Sequence, residues 1–173
     1  NPIETKVTPF NLELIKEIIT YEVSRNGQVF FVHNRVNNIE DFHFMITKMC
    51  PNLEVRFAHG QMESKKLEKT ILDFIQGDFD VLITTTIIEN GLDIPNANTI
   101  IINNAQNFGL ADLHQMRGRV GRSNKKAFCY LMTPPFNKMK DAAIKRLNAI
   151  SNLSKLGDGF NIAMKDLEIR GAG

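Results

Sequence analysis

The sequence lacks both motifs with which a nucleotide-hydrolysing domain normally holds its substrate. There is no GxxxxGK[ST] loop, whose amides and lysine cradle the β- and γ-phosphates, and no acidic DExx cluster to hold magnesium. Histidine is equally uninformative, because the four histidines never approach a metal-ligand spacing such as HExxH. We therefore expect no metal site in this chain.

Cysteine and long apolar runs are also scarce. Cys50 and Cys129 lie far apart without a partner motif, which favours reduced thiols, buried or half-buried, in a cytosolic protein. No apolar run reaches the length of a membrane span, and no signal peptide opens the sequence. The expected location is the cytoplasm.

What is present is an ordinary globular composition, with 43% hydrophobic and 23% charged residues. A length of 173 residues fits one domain with a small appendage. The net charge of +2 is weakly basic, so contact with nucleic acid would depend on local patches. The first residue is not Met and the sequence stops abruptly at residues 170–173 (RGAG), so we expect a piece of a longer protein.

Short, largely apolar runs alternate with helical periods along most of the chain. This alternation predicts βαβ units, a parallel sheet and helices on both faces, which is a three-layer α/β fold. The predicted strands cover residues 28–33, 54–58, 81–85, 99–103 and 127–132, and the predicted helices cover residues 11–25, 37–49 and 64–76.

Both ends of the chain depart from this alternation. Residues 1–10, with Pro2 and Pro9, are predicted to be a linker that leads into a sheet domain over residues 11–136. After Pro134 and Pro135, a long basic helical stretch is expected over residues 137–156. A second, antiparallel helix is expected from residue 160, so residues 137–173 are predicted to form a helical hairpin appended to the sheet domain.

The most informative segment is residues 115–122 (QMRGRVGR), which carries three arginines and two glycines. Arginine suits phosphate because its planar fork stays charged and donates two parallel hydrogen bonds. Glycine permits tight turns and close backbone approach. The segment predicts a phosphate-binding loop, although a solvated basic turn is the plain alternative.

In a doubly wound fold, functional groups lie on loops past the carboxyl ends of the strands. After residues 81–85, Thr84 and Thr85 could donate hydroxyls to phosphate, Gly91 permits close approach and Asp93 could accept from a ribose or hold an arginine. The alternative is a β-forming threonine run followed by a plain turn. Weaker candidates follow two other strands, where ordinary turns are the alternative; they are His59, Gly60, Asn34 and Arg35.

These observations combine into one physical hypothesis. A phosphate-clamping arginine loop is present, while the loop and acidic cluster that would hold the nucleotide are not. The simplest resolution is a site shared across an interface, where this chain supplies arginines in trans to a triphosphate that a neighbouring domain holds.

The motifs behind this hypothesis resemble the second RecA-like domain of superfamily 2 helicases and translocases. Residues 115–122 match that family's QxxGRxGR motif, and residues 84–95 match its TxxxExGxDxP motif. Within the superfamily the chain is similar, over essentially its whole length, to the bacterial transcription-repair coupling factors. Residues 166–173 (DLEIRGAG) resemble the start of a translocation motif that these proteins share with the fork-reversing helicase RecG, and residues 168–172 favour the coupling factors.

The resemblance implies a role for each matching residue. Arg119 and Arg122 would be arginine fingers that reach the γ-phosphate, and Gln115 would help to sense the nucleotide at the same interface. The nucleotide side of the cleft would be lined by Glu89, Gly91 and Asp93. Arg170 would couple domain closure to movement on DNA. The residues that would grip one strand of duplex DNA are Thr84, Thr85, His59, Gly60, Asn34 and Arg35.

The resemblance also implies an ATP-hydrolysing translocase on double-stranded DNA, with Mg²⁺ held by the first RecA-like domain of the same protein. Such an enzyme would push stalled RNA polymerase off a lesion and recruit excision-repair proteins through other domains. The chain alone would be inactive. Two alternatives stay open: a RecG-like fork-remodelling helicase domain, and a non-catalytic α/β binding domain whose arginines form only a basic patch.

Overall fold

A six-stranded, wholly parallel sheet forms the centre of the molecule in the computed structural model, which describes residues 3–85, 94, 96–121, 123–152 and 169. The strands lie in the order β1-β6-β5-β2-β4-β3. Their bounds are β1 (Ile3–Pro9), β2 (Gln28–Val32), β3 (Val55–Ala58), β4 (Val81–Thr84), β5 (Ala97–Ile102) and β6 (Ala127–Thr133).

Helices cover both faces of this sheet. On one face, α1 (Leu12–Ser24) and α2 (Ile39–Met49) pack against the odd-numbered side chains of β2 and β4. On the other face lie α3 (Ser64–Ile75), α4 (Leu110–Arg117) and α5 (Asp141–Asn152). Because both faces are covered, β2, β4 and β5 are buried along their whole length. The predicted three-layer α/β fold is confirmed.

Local signals explain how the chain enters the sheet from α1. The Asn11 side chain caps the helix by accepting a hydrogen bond from the Leu14 amide at 3.1 Å. The helix ends at Ser24, and two residues later Asn26 has a φ of 67°, in the left-handed region. Gly27 follows with no room for a Cβ beside Glu22. The chain therefore turns directly into β2, as the Asn-Gly pair predicts.

The predicted linker at residues 1–10 was wrong for the part that the structure describes. Ile3–Pro9 forms the edge strand β1, which pairs in parallel with β6 from Ile3 opposite Ala127 to Pro9 opposite Thr133. Ile3 is 2% exposed within the core. Pro9 fits because it ends an edge strand, where one row of N–H groups has no partner strand.

The helix predicted after residue 136 is present in the described part of the chain, but it packs against the sheet domain and is not a separate appendage. The helix begins at Asp141, after a short 3₁₀ turn over Phe136–Lys138, and its inner side chains Leu147 and Ile150 belong to the main core. Because α5 packs on β1 and α4, it is an integral layer of the sheet domain. The second half of the predicted hairpin lies outside the described residues.

Both cysteines are free and buried, as predicted. Burial raises the pKa of the Cys129 thiol to about 12 and also raises the pKa of Cys50. In the described ranges, every helix is too short or too polar to cross a bilayer.

Candidate functional site

The candidate site lies at the carboxyl edge of the sheet, where β2, β4 and β3 are direct neighbours. The residues that follow these three strands are Asn34 and Arg35, Thr85, and His59 and Gly60. Backbone bonds tie the loops together, because the His33 amide donates to the Thr84 carbonyl at 2.7 Å and the Thr85 amide donates to Ala58 at 3.4 Å. The structure therefore brings the three predicted loops to one edge.

A pocket of about 340 Å³ opens beside this edge, between the sheet and α4. Its floor is apolar and is formed by β2, β5 and the segment before α4. Its rim is polar and carries one cation and one carboxylate. The lining residues are Phe30, Val32, Asn34, Thr85, Ile100, Phe108, Asp112, Gln115, Met116 and Arg119. An apolar cleft with a few convergent polar groups is the usual form of a ligand site.

Helix α4 supplies one wall of this pocket through its periodicity. Asp112, Gln115 and Met116 are spaced i, i+3 and i+4, so they lie on one helix face. Arg119 follows the helix end and is held there by its amide, which donates to the Met116 carbonyl at 3.1 Å. Of the three residues that were predicted to be catalytic, Gln115 and Arg119 therefore share one pocket.

Thr85 lines the pocket and is 5% exposed. Its buried Oγ1 atom has no hydrogen-bond partner among the described residues. A buried polar group without a partner is unfavourable by about 1–3 kcal/mol, so it is typical of a site that receives a ligand or a partner group. Thr84 differs, because it is 1% exposed and sits within β4. The role of Thr84 as a DNA contact stays a prediction.

Arg117 differs from the arginines that are predicted to bind phosphate, although it lies in the same loop sequence. It is 1% exposed and donates from Nη1 to the Ile150 carbonyl at 2.9 Å and to Thr5 Oγ1 at 3.2 Å. These contacts join α4 to α5 and β1. Arg117 is therefore a structural cation that fixes α4, the helix that carries Gln115 and ends two residues before Arg119.

His33 is a residue of this edge that sequence reasoning missed. Its Nε2 donates to Asn38 Oδ1 at 2.8 Å, its Nδ1 accepts from Asn103 Nδ2 at 3.3 Å, and its ring stacks on Phe42 at 4.4 Å. This network defines a neutral imidazole, and burial lowers the His33 pKa. His33 thereby fixes the start of the loop that carries Asn34. Its only sequence signal is a histidine at the end of an apolar strand.

The remaining predicted DNA contacts are accessible. Asn34, Arg35 and Gly60 are exposed, and His59 is half-buried. His59 holds its own turn, since its Nδ1 accepts from the Gln61 amide at 3.2 Å and its ring stacks on Phe57. These groups can meet a backbone phosphate without rearrangement of the sheet.

Several predicted site residues lie outside the described residues: Glu89, Gly91, Asp93, Arg122 and Arg170. Over the described ranges, no group of three or more His, Cys, Asp or Glu side chains is placed to hold a metal ion.

Comparison with known proteins gives consistent matches. Residues 11–124 match the family described as the helicase conserved C-terminal domain. The chain is 48% identical to the transcription-repair-coupling factor of Staphylococcus haemolyticus and 46% identical to that of Staphylococcus aureus, over 99% of its length. It spans only 15% of the length of these relatives.

Solved structures match as well. The structure of RecG bound to a three-way DNA junction aligns with 100% of this chain and with 23% of the RecG chain. The TM-score is 0.85 and the sequence identity is 33%. Domain 2 of the DEAD-box helicase Mss116p, bound to an RNA duplex, aligns with 88% of this chain and with 61% of the Mss116p chain, with a TM-score of 0.69. At 19% identity, the latter likeness concerns the fold alone.

Proposed function

Because this chain belongs to the family of helicase conserved C-terminal domains, we propose that it is the second motor domain of an ATP-driven translocase on double-stranded DNA. In this proposal the first motor domain of the same protein holds ATP and Mg²⁺. Arg119 and Arg122 reach across the cleft to the γ-phosphate, and Gln115 senses the nucleotide. Glu89, Gly91 and Asp93 line the nucleotide side.

The observation that carries the proposal is the pocket that Gln115, Arg119 and Thr85 line together. A guanidinium supplied from outside the nucleotide-holding domain stabilises charge on the transferring phosphoryl group, which is worth about 10³–10⁵ in rate in comparable systems. Arg117 supports this geometry from behind, because it fixes α4 without using its own charge at the surface.

DNA is gripped by its phosphates in this proposal. The groups available on neighbouring loops are Asn34, Arg35, His59, Gly60 and the Thr85 side of the pocket. Contacts of this kind position a protein on the duplex without reading bases. We therefore expect little sequence preference and a steep loss of affinity as salt rises.

Movement along DNA follows when the contact of the arginines with ATP is coupled to the contact of the loops with the DNA backbone. ATP draws the arginines onto its γ-phosphate and closes the cleft, hydrolysis removes that contact, and the cleft reopens. Since both motor domains hold the DNA backbone, each cycle advances the enzyme, with Arg170 linking closure to the grip. The similarity to the coupling factors supports a task in which the whole protein displaces stalled RNA polymerase and recruits excision repair.

A second candidate task is remodelling of replication forks. The likeness to RecG bound to a three-way DNA junction favours it, with a TM-score of 0.85. The higher identity to the coupling factors, 48% against 33%, favours the first task. If the full-length protein displaces stalled RNA polymerase but leaves model forks intact, its task is that of the coupling factors. If it remodels forks but does not displace RNA polymerase, its task is that of RecG.

The experiment for the motor itself is ATP turnover by the full-length protein and by this chain alone. We expect turnover by the full-length protein to rise with duplex DNA of any sequence, and turnover by the chain alone to be negligible because it lacks a GxxxxGK[ST] loop. Comparable turnover by the chain alone would contradict a site shared between two domains.

A further inference from the structure

A second pocket, of about 350 Å³, opens at the same edge of the sheet, farther along toward β6. Pro134 follows β6 directly, and Gln106 lies in the short turn that follows β5. The opposite wall is formed by Lys138, Lys140 and the first turns of α5. The pocket is thus built from the carboxyl ends of two strands and the beginning of a helix.

The lining of this second pocket is basic. Lys138, Lys140 and Arg146 contribute three cations, and none of the lining residues is acidic. Arg146 is anchored, since its Nη2 donates to the Gln106 carbonyl at 3.0 Å. Its buried Nε has no hydrogen-bond partner within the part of the chain that the structure describes. In the ranges that the structure covers, neither lysine forms an ion pair. This concentration of positive charge in a concavity is typical of an anion site.

Helix geometry adds donors to the same concavity. The first intrahelical bond of α5 joins the Ile144 amide to the Lys140 carbonyl at 3.2 Å, so the amides of Ala142 and Ala143 precede the hydrogen-bonded ladder. Both alanines line the pocket. The opposing charge of Asp141 is exposed and lies outside the lining.

We propose that this pocket, lined by Lys138, Lys140 and Arg146, binds phosphates of the DNA backbone. Arginine and lysine are among the side chains that contact phosphate. No aromatic ring lines the pocket, so it offers no platform for a base. The proposal rests on the DNA binding inferred above. It adds a contact that the matched motifs do not include.

The position of the pocket along the sheet fits a continuous track. Three strand spacings separate β6 from β4, which at about 4.8 Å each amounts to roughly 14 Å. One DNA strand rises about 3.4 Å per nucleotide, so this distance corresponds to about four nucleotides. A backbone held near Thr85 could therefore reach the basic pocket without bending sharply.

The test is the salt dependence of duplex binding by this chain, measured by fluorescence anisotropy across a series of KCl concentrations. Each phosphate contact contributes roughly 0.9 to the slope of log K against log[salt], so Lys138→Ala/Lys140→Ala is expected to lower the slope by about 1.8. The matched control is Lys16→Ala/Lys48→Ala, which removes the same charge from exposed positions on α1 and α2 and should leave the slope unchanged. An unchanged slope in the first variant would overturn the proposal.

A second arm separates this proposal from the motor assignment. Inorganic phosphate is titrated into the isotopically labelled chain while the amide resonances of Ala142 and Ala143 are followed, together with a poly-glutamate peptide as the rival anion. The proposal is supported if phosphate shifts these amide resonances, if the shifts vanish in Lys138→Ala/Lys140→Ala, and if that variant also lowers the salt slope of DNA binding. Phosphate shifts without any DNA binding would refute the DNA assignment and count against the proposed function. A response to poly-glutamate alone would also overturn it.

Discussion

Arg117 and Arg119 are two residues apart, yet their guanidinium groups meet different surroundings. Arg117 is the last residue of α4 and points into the protein, where Ile150 and Thr5 accept its hydrogen bonds. Arg119 lies beyond the helix end and lines the pocket. Residue type and spacing alone cannot separate the two, because both belong to the same run of arginines and glycines.

We predict that the same substitution lowers stability far more at Arg117 than at Arg119. Arg117→Met should lower the free energy of unfolding by about 3 kcal/mol, because a buried donor network is lost and the Ile150 carbonyl is left unpaired. Arg119→Met should change it by less than about 1 kcal/mol, as expected of a half-buried position at the surface. Urea denaturation of both variants measures this difference. Equal losses would show that Arg119 also supports the core.

His33 makes a pH-dependent contribution to stability. Burial lowers its pKa in the folded chain, so below its ordinary pKa of about 6.5 the unfolded chain binds more protons than the folded one. Stability should therefore fall as pH decreases through 6.5 toward the folded pKa. The variant His33→Gln, which cannot titrate, should show a smaller decrease between pH 7.5 and 5.5 in thermal unfolding. An identical pH profile for both proteins would contradict a buried neutral imidazole.

At the scale of elements, β1 shows what the sequence conceals. Its residues IETKVTP alternate between inward and outward positions, and only Ile3 is fully buried. The buried strands β2, β4 and β5 could be predicted because they are nearly continuous apolar runs. A strand with one covered face, beside Pro2 and ending at Pro9, becomes recognisable only when its partner β6 is known.

The role of β1 as a structural strand predicts a contrast between two of its side chains. Ile3→Ala should lower the free energy of unfolding by about 2–5 kcal/mol, because it leaves a cavity in the core. Lys6→Ala, at an exposed position of the same strand, should stay within about 0.5 kcal/mol. Denaturant unfolding of the pair measures both effects. If neither substitution changes the free energy of unfolding, Ile3–Pro9 does not contribute to the core and the prediction is wrong.

Helix faces were predicted less well than helix positions. On α3, an apolar residue such as Leu72 would be expected on the buried face, yet Leu72 is 53% exposed, whereas Thr70 and Phe74 are buried. Thr70 is tolerated inside because its hydroxyl donates to the Lys66 carbonyl at 2.8 Å. Hydrophobic periodicity locates such a helix, but the side that it buries depends on the sheet beneath it.

At the scale of the whole molecule, the sequence predicted which loops meet but not how their side chains are oriented. Asn34, His59 and Thr85 were placed correctly at one edge, because parallel strands end together. Thr85 lines the pocket and Thr84 does not, because consecutive side chains point to opposite faces of the sheet. Which of the two faces the pocket depends on how β4 pairs with its neighbouring strands. The pocket also needs α4, whose position is fixed by contacts between Arg117, Thr5 and Ile150 that are distant in sequence.

The central proposal concerns a reaction that this chain cannot carry out by itself. The chain has Gln115 and Arg119 in a pocket beside the loops that are proposed to contact DNA, and it has no GxxxxGK[ST] loop of its own. In the proposal, Arg119 acts on ATP only when a second domain presents the γ-phosphate.

The most direct measurement is the kcat for ATP hydrolysis of the full-length protein carrying Arg119→Ala, in the presence of saturating duplex DNA. The proposal predicts a loss of roughly 10³-fold or more with an unchanged unfolding temperature, because the transition state loses its guanidinium. Arg119→Lys should recover little, since lysine lacks the planar fork, and Lys16→Ala should behave as wild type. A kcat for Arg119→Ala equal to that of wild type would contradict the account.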